Sequence, residues 1–195
     1  EITPKDAAAL SQTVTPQGLV AVCTLPQPTT DALFAPQPRL LAVVIEPNDP
    51  GNLGTIIRTA DAAGADAVLI DGGVDPYNGK AVRASAGSIF HLPVVACSVR
   101  DVLGRKGLTT LAATAAGTRD LDELAEDRTL TQPTAWLFGA EAHGLPTSVL
   151  AAADHTVRVP IHGRAESLNL AAAAAVCLYA SARAHRERAG RARLD

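Results

Sequence analysis

Three short segments, each following an apolar run, concentrate the residue types that chemistry needs: Asn52-Leu53-Gly54-Thr55-Ile56-Ile57-Arg58, Phe138-Gly139-Ala140-Glu141-Ala142-His143-Gly144-Leu145, and Val159-Pro160-Ile161-His162-Gly163-Arg164-Ala165-Glu166-Ser167-Leu168-Asn169. Together they look like an active site. The turn-forming run Pro47-Asn48-Asp49-Pro50-Gly51 leads into the first, with Asn52 a candidate N-cap and Arg58 about two turns into the helix that follows. An arginine there can hold a phosphate in the fork of its guanidinium. Gly139 lets backbone approach a ligand closely, yet the segment around it has neither the Lys-Ser/Thr of a P-loop nor the spacing of a dinucleotide fingerprint. Ser167 offers an N-cap for the helix that opens at Leu168. Each of these residues has a purely structural reading too, as a cap, a surface charge or a turn. His143 is read as a bystander in its loop.

The elements that must position these residues follow from the apolar pattern. Short apolar runs alternate with segments of helical period from Leu40 onward, the pattern of a parallel sheet covered on both faces. Strands are predicted near Leu40–Ile45, Ala67–Ile70, Leu92–Ala96, Thr109–Ala113, Ala135–Phe138 and Thr156–Val159. Helices are predicted over Leu53–Ala63, Lys80–Ala86, Val99–Lys106, Leu121–Glu126, Thr147–Ala152 and from Leu168 to about Glu187. Alanine dominates the last of these, which gives it high intrinsic helicity and a smooth packing surface. Residues 1–38 are rich in Pro, Thr and Gln and read as a linker or remnant, with one candidate strand at Gly18–Cys23. The sequence has no Met and begins at Glu1, which reads as a piece of a longer open reading frame.

Composition narrows the partners. Hydrophobic residues make up 47% of the 195 residues, enough for one well-buried α/β core. Aromatics contribute only 3%, so a broad stacking platform for bases is disfavoured and recognition must use charge and shape. The net charge of −3 argues mildly against a stand-alone nucleic-acid binder, although Arg183, Arg186, Arg188, Arg191 and Arg193 crowd the C-terminal end. These arginines fit either a solvated helix end or an RNA-facing tail. Cys23, Cys97 and Cys177 are odd in number and widely spaced, which fits a reducing, cytoplasmic setting. Neither they nor the five histidines have zinc-site spacing, so no metal is expected. No apolar run reaches the length of a membrane span.

In order and content the three segments resemble the motifs of the SpoU/TrmH family of RNA ribose 2'-O-methyltransferases, part of the SPOUT superfamily, over about Leu40 to Ala184. The resemblance implies a SPOUT-type α/β fold, a mostly parallel sheet flanked by helices with a C-terminal deep trefoil knot, over residues 39–195. Residues 1–38 then follow a missing N-terminal RNA-binding domain, Val14–Ala21 resembling the connector after it. The implied cofactor is S-adenosyl-L-methionine, contacted by Gly139, Val159, Ile161 and Leu168. The implied catalytic residues are Asn52, Arg58, Glu141, Ser167 and Asn169.

In the family the arginine at Arg58 meets the target ribose and its phosphate, and the asparagine at Asn52 organises that region. The resemblance gives the glutamate at Glu141 the role of holding the loops, with the Arg58 guanidinium as a further candidate partner. A ribose hydroxyl is a poor nucleophile near neutral pH, so such a site must accept its proton and stabilise the developing alkoxide. The expected partners are RNA, ribosomal before transfer RNA, and a second copy of the chain, with the long C-terminal helix part of the homodimer interface. Two other classes remain open: a non-catalytic RNA-binding module of the same fold, and a nucleotide-linked oxidoreductase. No G-x-G-x-x-G follows the first strand, which weakens the latter.

Overall fold

The computed structural model describes residues 2–11 and 21–191, with the side chains of 189–191 left aside. In chain order the elements are α1 (Pro4–Leu10), α2 (Thr30–Phe34), β1 (Leu40–Ile45), α3 (Pro50–Ala63), β2 (Ala67–Asp71), α4 (Gly79–Ser85) and β3 (Val94–Ala96). They continue with β4 (Thr109–Ala113), β5 (Arg119–Asp120), α5 (Leu121–Glu126), β6 (Thr134–Phe138), α6 (Thr147–Ala152), β7 (His155–Arg158) and α7 (Leu170–Arg191).

All strand pairs are parallel, in the order β3-β2-β1-β6-β4-β7-β5. The runs Leu40–Ile45 and Thr134–Phe138 are buried along their whole length because helices cover both sides of the sheet. Alternation divides the apolar residues of β1 between two cores. Leu40, Ala42 and Val44 join Leu53, Ile56 and Ile57 of α3, Trp136 and Phe138 of β6, and Cys177 and Leu178 of α7. Leu41, Val43 and Ile45 face the opposite side, with Leu69, Val102, Leu137 and Val149.

The helix ends follow from local chemistry. Pro50 occupies the first turn of α3, whose N-cap is Asp49, not the expected Asn52: the Asp49 carboxylate accepts from the Gly51 N–H at 2.9 Å. Gly64 closes α3 in the left-handed region at φ 75°, which a side chain would strain. α7 is pinned to β6 through the buried Ser181 hydroxyl, which accepts from Trp136 Nε1 at 2.9 Å. Near its far end, His185 meets the Gln132 carbonyl at 3.0 Å and Arg188 donates to the Thr131 carbonyl at 2.9 Å.

Three elements differ from the sequence pattern. The helix expected over Val99–Lys106 is a single 3-10 turn at Val99–Asp101, since Gly104 and Gly107 take positive φ and the apolar Val99 and Val102 are drawn into the second core. The strand expected from Leu92 starts only at Val94, after Pro93, and that expected to reach Val159 stops at Arg158. β5 is two residues long and α1 and α2 are a few turns at most, too short to leave a periodic signal. Of the candidate strand at Gly18–Cys23, residues 18–20 lie outside the described residues, and Ala21–Cys23 forms none. The connector-like stretch Val14–Ala21 lies outside them except for Ala21. Among the described residues no helix is long and apolar enough to cross a membrane.

α3 and α4 cross closely at Gly54. A Cβ there would overlap the Ala81 carbonyl oxygen and stand 2.7 Å from Ala84 Cβ. Gly54→Ala is therefore expected to lower unfolding stability by about 2 kcal/mol, despite the better helix propensity of alanine, because two backbones must move apart. Chemical denaturation measures this, and an unchanged or raised midpoint would show that the helix pair relaxes freely.

Candidate active site

In a parallel sheet the loops after the strands gather at the carboxyl ends, where ligands bind. Because β1, β6, β4 and β7 are consecutive neighbours, the loops after all four meet along one edge. Those after β4, β6 and β7 enclose an open cavity of about 870 Å³ beside the start of α7. Its walls are Ala113 and Thr114 after β4, Phe138 to Glu141 after β6, Val157 to Ile161 at the end of β7, and Glu166 to Leu170 entering α7. Gly139, Val159, Ile161 and Leu168 are thus brought together with Glu141, Ser167 and Asn169 from segments far apart in sequence. The glycine at 139 is a packing requirement: a Cβ there would overlap the Gly144 carbonyl and the Leu145 nitrogen, where the loop folds back through the Ala140–Gly144 bridge.

A chain of side-chain hydrogen bonds ties the three motif segments. Glu141 Oε2 accepts from the Asn48 N–H at 3.1 Å, and Oε1 from the Asp49 N–H at 3.4 Å and from Asn52 Nδ2 at 3.0 Å. Asn52 Oδ1 in turn accepts from Asn169 Nδ2 at 3.2 Å. Asn169 Oδ1 accepts from the N–H groups of Ala171 at 2.9 Å and Ala172 at 3.3 Å, which makes Asn169 the N-cap of α7. The expected cap, Ser167, lies two residues ahead of it, because α7 starts at Leu170 rather than Leu168. Ser167 is exposed, lines the cavity and has no hydrogen-bond partner among the described residues, so its hydroxyl is free to meet a ligand.

Burial raises the Glu141 pKa, but the hydrogen bonds from Asn52, its own backbone and the Asn48 and Asp49 N–H groups outweigh it and hold the carboxyl below the ordinary glutamate value. Such a group anchors neighbours and makes a weak base. The orientation of the two side-chain amides is fixed by this same network, since each asparagine oxygen has an N–H to accept.

Arg58 stands apart. It is exposed, does not line the cavity, and makes no hydrogen bond or ion pair among the described residues. The Glu141–Arg58 contact that the family resemblance allowed is not formed: six residues beyond Asn52 at ~100° per residue, Arg58 points to another side of α3. His143 is exposed in the loop after β6 and makes no hydrogen bond there either. Among the described residues no group of His, Cys, Asp and Glu could hold a metal ion.

One feature of the cavity has no counterpart in the sequence reading. Arg158 Nε lies 2.6 Å from Asp120 Oδ1, a second nitrogen donates to Asp120 Oδ2 at 2.6 Å, and the third to the Gly117 carbonyl at 3.0 Å. Both residues line the cavity, brought side by side by the pairing of β5 with β7. Only a two-residue strand sets that register, and nothing in the sequence marks it.

A parallel α/β domain with a polar-edged cavity at the carboxyl ends of its strands is a small-molecule-binding domain of the cofactor-using kind. The model of the SpoU rRNA Methylase family matches residues 39–179, and the chain belongs to that family. It is 38% identical over 176 residues to the 23S rRNA (guanosine(2553)-2'-O)-methyltransferase RlmP of Bacillus subtilis, covering 88% of this chain and 67% of that protein. To the 23S rRNA (uridine(2479)-2'-O)-methyltransferase of Streptomyces viridochromogenes it is 37% identical, covering 86% and 61%. Among solved structures, the SpoU methyltransferase AviRb of Streptomyces viridochromogenes in complex with AdoMet superposes with a TM-score of 0.72 at 33% identity, over 83% of this chain and 66% of that one. The chain thus spans some three fifths to two thirds of the length of the curated relatives it matches.

Proposed function

We propose that this chain is the methyltransferase domain of an enzyme that transfers the methyl group of S-adenosyl-L-methionine to a ribose 2'-hydroxyl of structured RNA, ribosomal RNA being favoured over transfer RNA. The observation that carries the reading is the cavity itself: the second and third motif segments line it, and the first is tied to both through the hydrogen bonds of Asn52 with Glu141 and Asn169. Its volume of about 870 Å³ suits a nucleoside-sized ligand. The named activities of the relatives from Bacillus and Streptomyces favour ribosomal RNA.

Bound S-adenosyl-L-methionine supplies an electrophilic methyl on a sulfonium, which calls for no metal. The protein's part is placement. Backbone groups of Gly139, Val159 and Ile161, with the Leu168 side chain, hold the cofactor. Asn52 and Asn169 each keep a second amide hydrogen to orient the ribose. Ser167 offers its hydroxyl beside them. Glu141 fixes the loops, and Arg58 grips the phosphate and steadies the alkoxide as the hydroxyl proton passes to that phosphate or to solvent.

Since Arg58 does not line the cavity of its own chain, a homodimer suits this chemistry, in which residues of two copies complete one site. The exposed apolar Val176 and Tyr179 of α7 give such an interface its contact surface. The remaining expectations belong to the same reading: a trefoil knot formed by the C-terminal segment, residues 1–38 as a linker behind an RNA-binding domain, residues 39–195 as the methyltransferase domain, and a cytoplasmic location.

The test is transfer of labelled methyl from S-adenosyl-L-methionine to total bacterial RNA by the full-length protein, with 2'-O-methyl sites mapped. Label at one ribose of 23S rRNA is the expected result. Cofactor binding without label on any RNA would favour the non-catalytic module, and absence of cofactor binding would sink the enzymatic reading.

A further inference from the structure

Outside the cavity, one ion pair bears on the loop that carries Asn52. Lys80, at the start of α4, places Nζ 2.6 Å from Asp49 Oδ1, and its stem passes over Gly51, where a Cβ would stand 3.1 Å from Lys80 Cε. Asp49 does two things in that loop. Its carboxylate caps α3 through the Gly51 N–H, and its backbone N–H donates to Glu141. Without Lys80, Asp49 and Glu141 would set two negative charges on one turn. Both Lys80 and Asp49 remain open to solvent, with side chains 59% and 43% exposed, so the charge of the turn is felt by whatever approaches.

We infer that Lys80 is a positioning and charge-setting residue for the RNA substrate: by pairing with Asp49 it keeps the capping carboxylate from repelling the phosphates that must approach the Asn52 turn. This rests on the reading of the domain as an RNA methyltransferase. A polyanion brought to a turn bearing two uncompensated carboxylates pays for each of them, whereas cofactor binding deeper in the cavity does not. Asp49 cannot simply be dispensed with, because α3 needs its cap, and asparagine would serve the cap equally well without the charge. Lys80 thus allows an acid where an amide would otherwise be required.

The experiment is a double-mutant cycle in the full-length protein, with labelled methyl transfer to ribosomal RNA and separate cofactor titration. Lys80→Met keeps the stem and removes the charge. It is expected to raise the KM for RNA about fivefold at low salt, the effect of one poorly screened surface charge, with kcat and the cofactor Kd unchanged. Asp49→Asn in the same protein should return KM to near the wild-type value, and Lys80→Arg should keep it there. A Lys80→Met enzyme with unchanged KM overturns the inference. So does a raised KM that Asp49→Asn fails to restore, which would mean that Lys80 holds a phosphate directly, or a raised cofactor Kd, which would mean that the pair merely supports the fold. Failure of the wild-type protein to label any RNA would strike the proposed function itself, and so is told apart from these results.

Discussion

Arg58→Ala is expected to reduce methyl transfer by roughly 10²- to 10³-fold while leaving the thermal midpoint and cofactor affinity where they were, a loss of the size seen when one preorganised charge is removed from a transition state. The prediction is sharp because Arg58 contributes so little to its own chain. It is exposed on α3 and bonds to nothing among the described residues, so truncation leaves no unsatisfied partner and no cavity. A structural role would show as a lower melting temperature, and a role in holding the cofactor as a raised Kd. Single-turnover transfer at saturating cofactor isolates the chemical step. If its rate is unchanged in the variant, Arg58 is a surface residue and the family-based role is wrong for this protein. If Arg58 acts across a dimer, mixing Arg58→Ala with a second variant defective in the cavity restores activity, because one of the mixed sites then has both parts intact.

Glu141→Ala should lower the rate of transfer by about 10²-fold, through geometry rather than lost chemistry, since small displacements of reacting groups are costly. Three donors lose their acceptor at once, namely the N–H groups of Asn48 and Asp49 and the Asn52 amide. Asn52 then no longer has its amide hydrogen tied down and its hold on Asn169 slackens, so two of the motif segments separate at the edge of the cavity. Glu141→Gln retains one acceptor oxygen but turns an NH2 group toward donors, and should fall between wild type and alanine.

The pH dependence has a definite sign. The folded-state pKa of Glu141 is held below the ordinary glutamate value, at which the unfolded chain titrates. Its stabilising contribution is therefore full above the unfolded value and disappears as pH falls through the folded one. The stability difference between wild type and Glu141→Ala should narrow over that acid range, measured by denaturation at several pH values. A difference that stays constant down to the lowest pH would show that the carboxylate charge is not what holds the loops.

What was legible in the sequence was local. Apolar runs of strand length, the helical period between them and the turn residues ahead of Asn52 are properties of neighbouring residues, and they determined the α/β class and most of the element order. Capping was less legible. Asp49 and Asn52 both suit a cap, as do Ser167 and Asn169, and the choice between them depends on where the chain finally turns into helix.

The tertiary structure alone decided the remainder. Glu141 meets Asn48, Asp49 and Asn52 from some ninety residues away, and Asn169 meets Asn52 from farther still. Those contacts exist because β6 lies beside β1, an arrangement that no periodicity encodes. The Asp120–Arg158 pair depends in the same way on the register of a two-residue strand, and the Lys80–Asp49 pair on how closely α4 can approach α3 across Gly54. Sequence by itself determined which residues could do the chemistry. Which of them touch was settled by strand order and helix packing, because a hydrogen bond reaches only about 3 Å and the chain must be folded before such partners are neighbours.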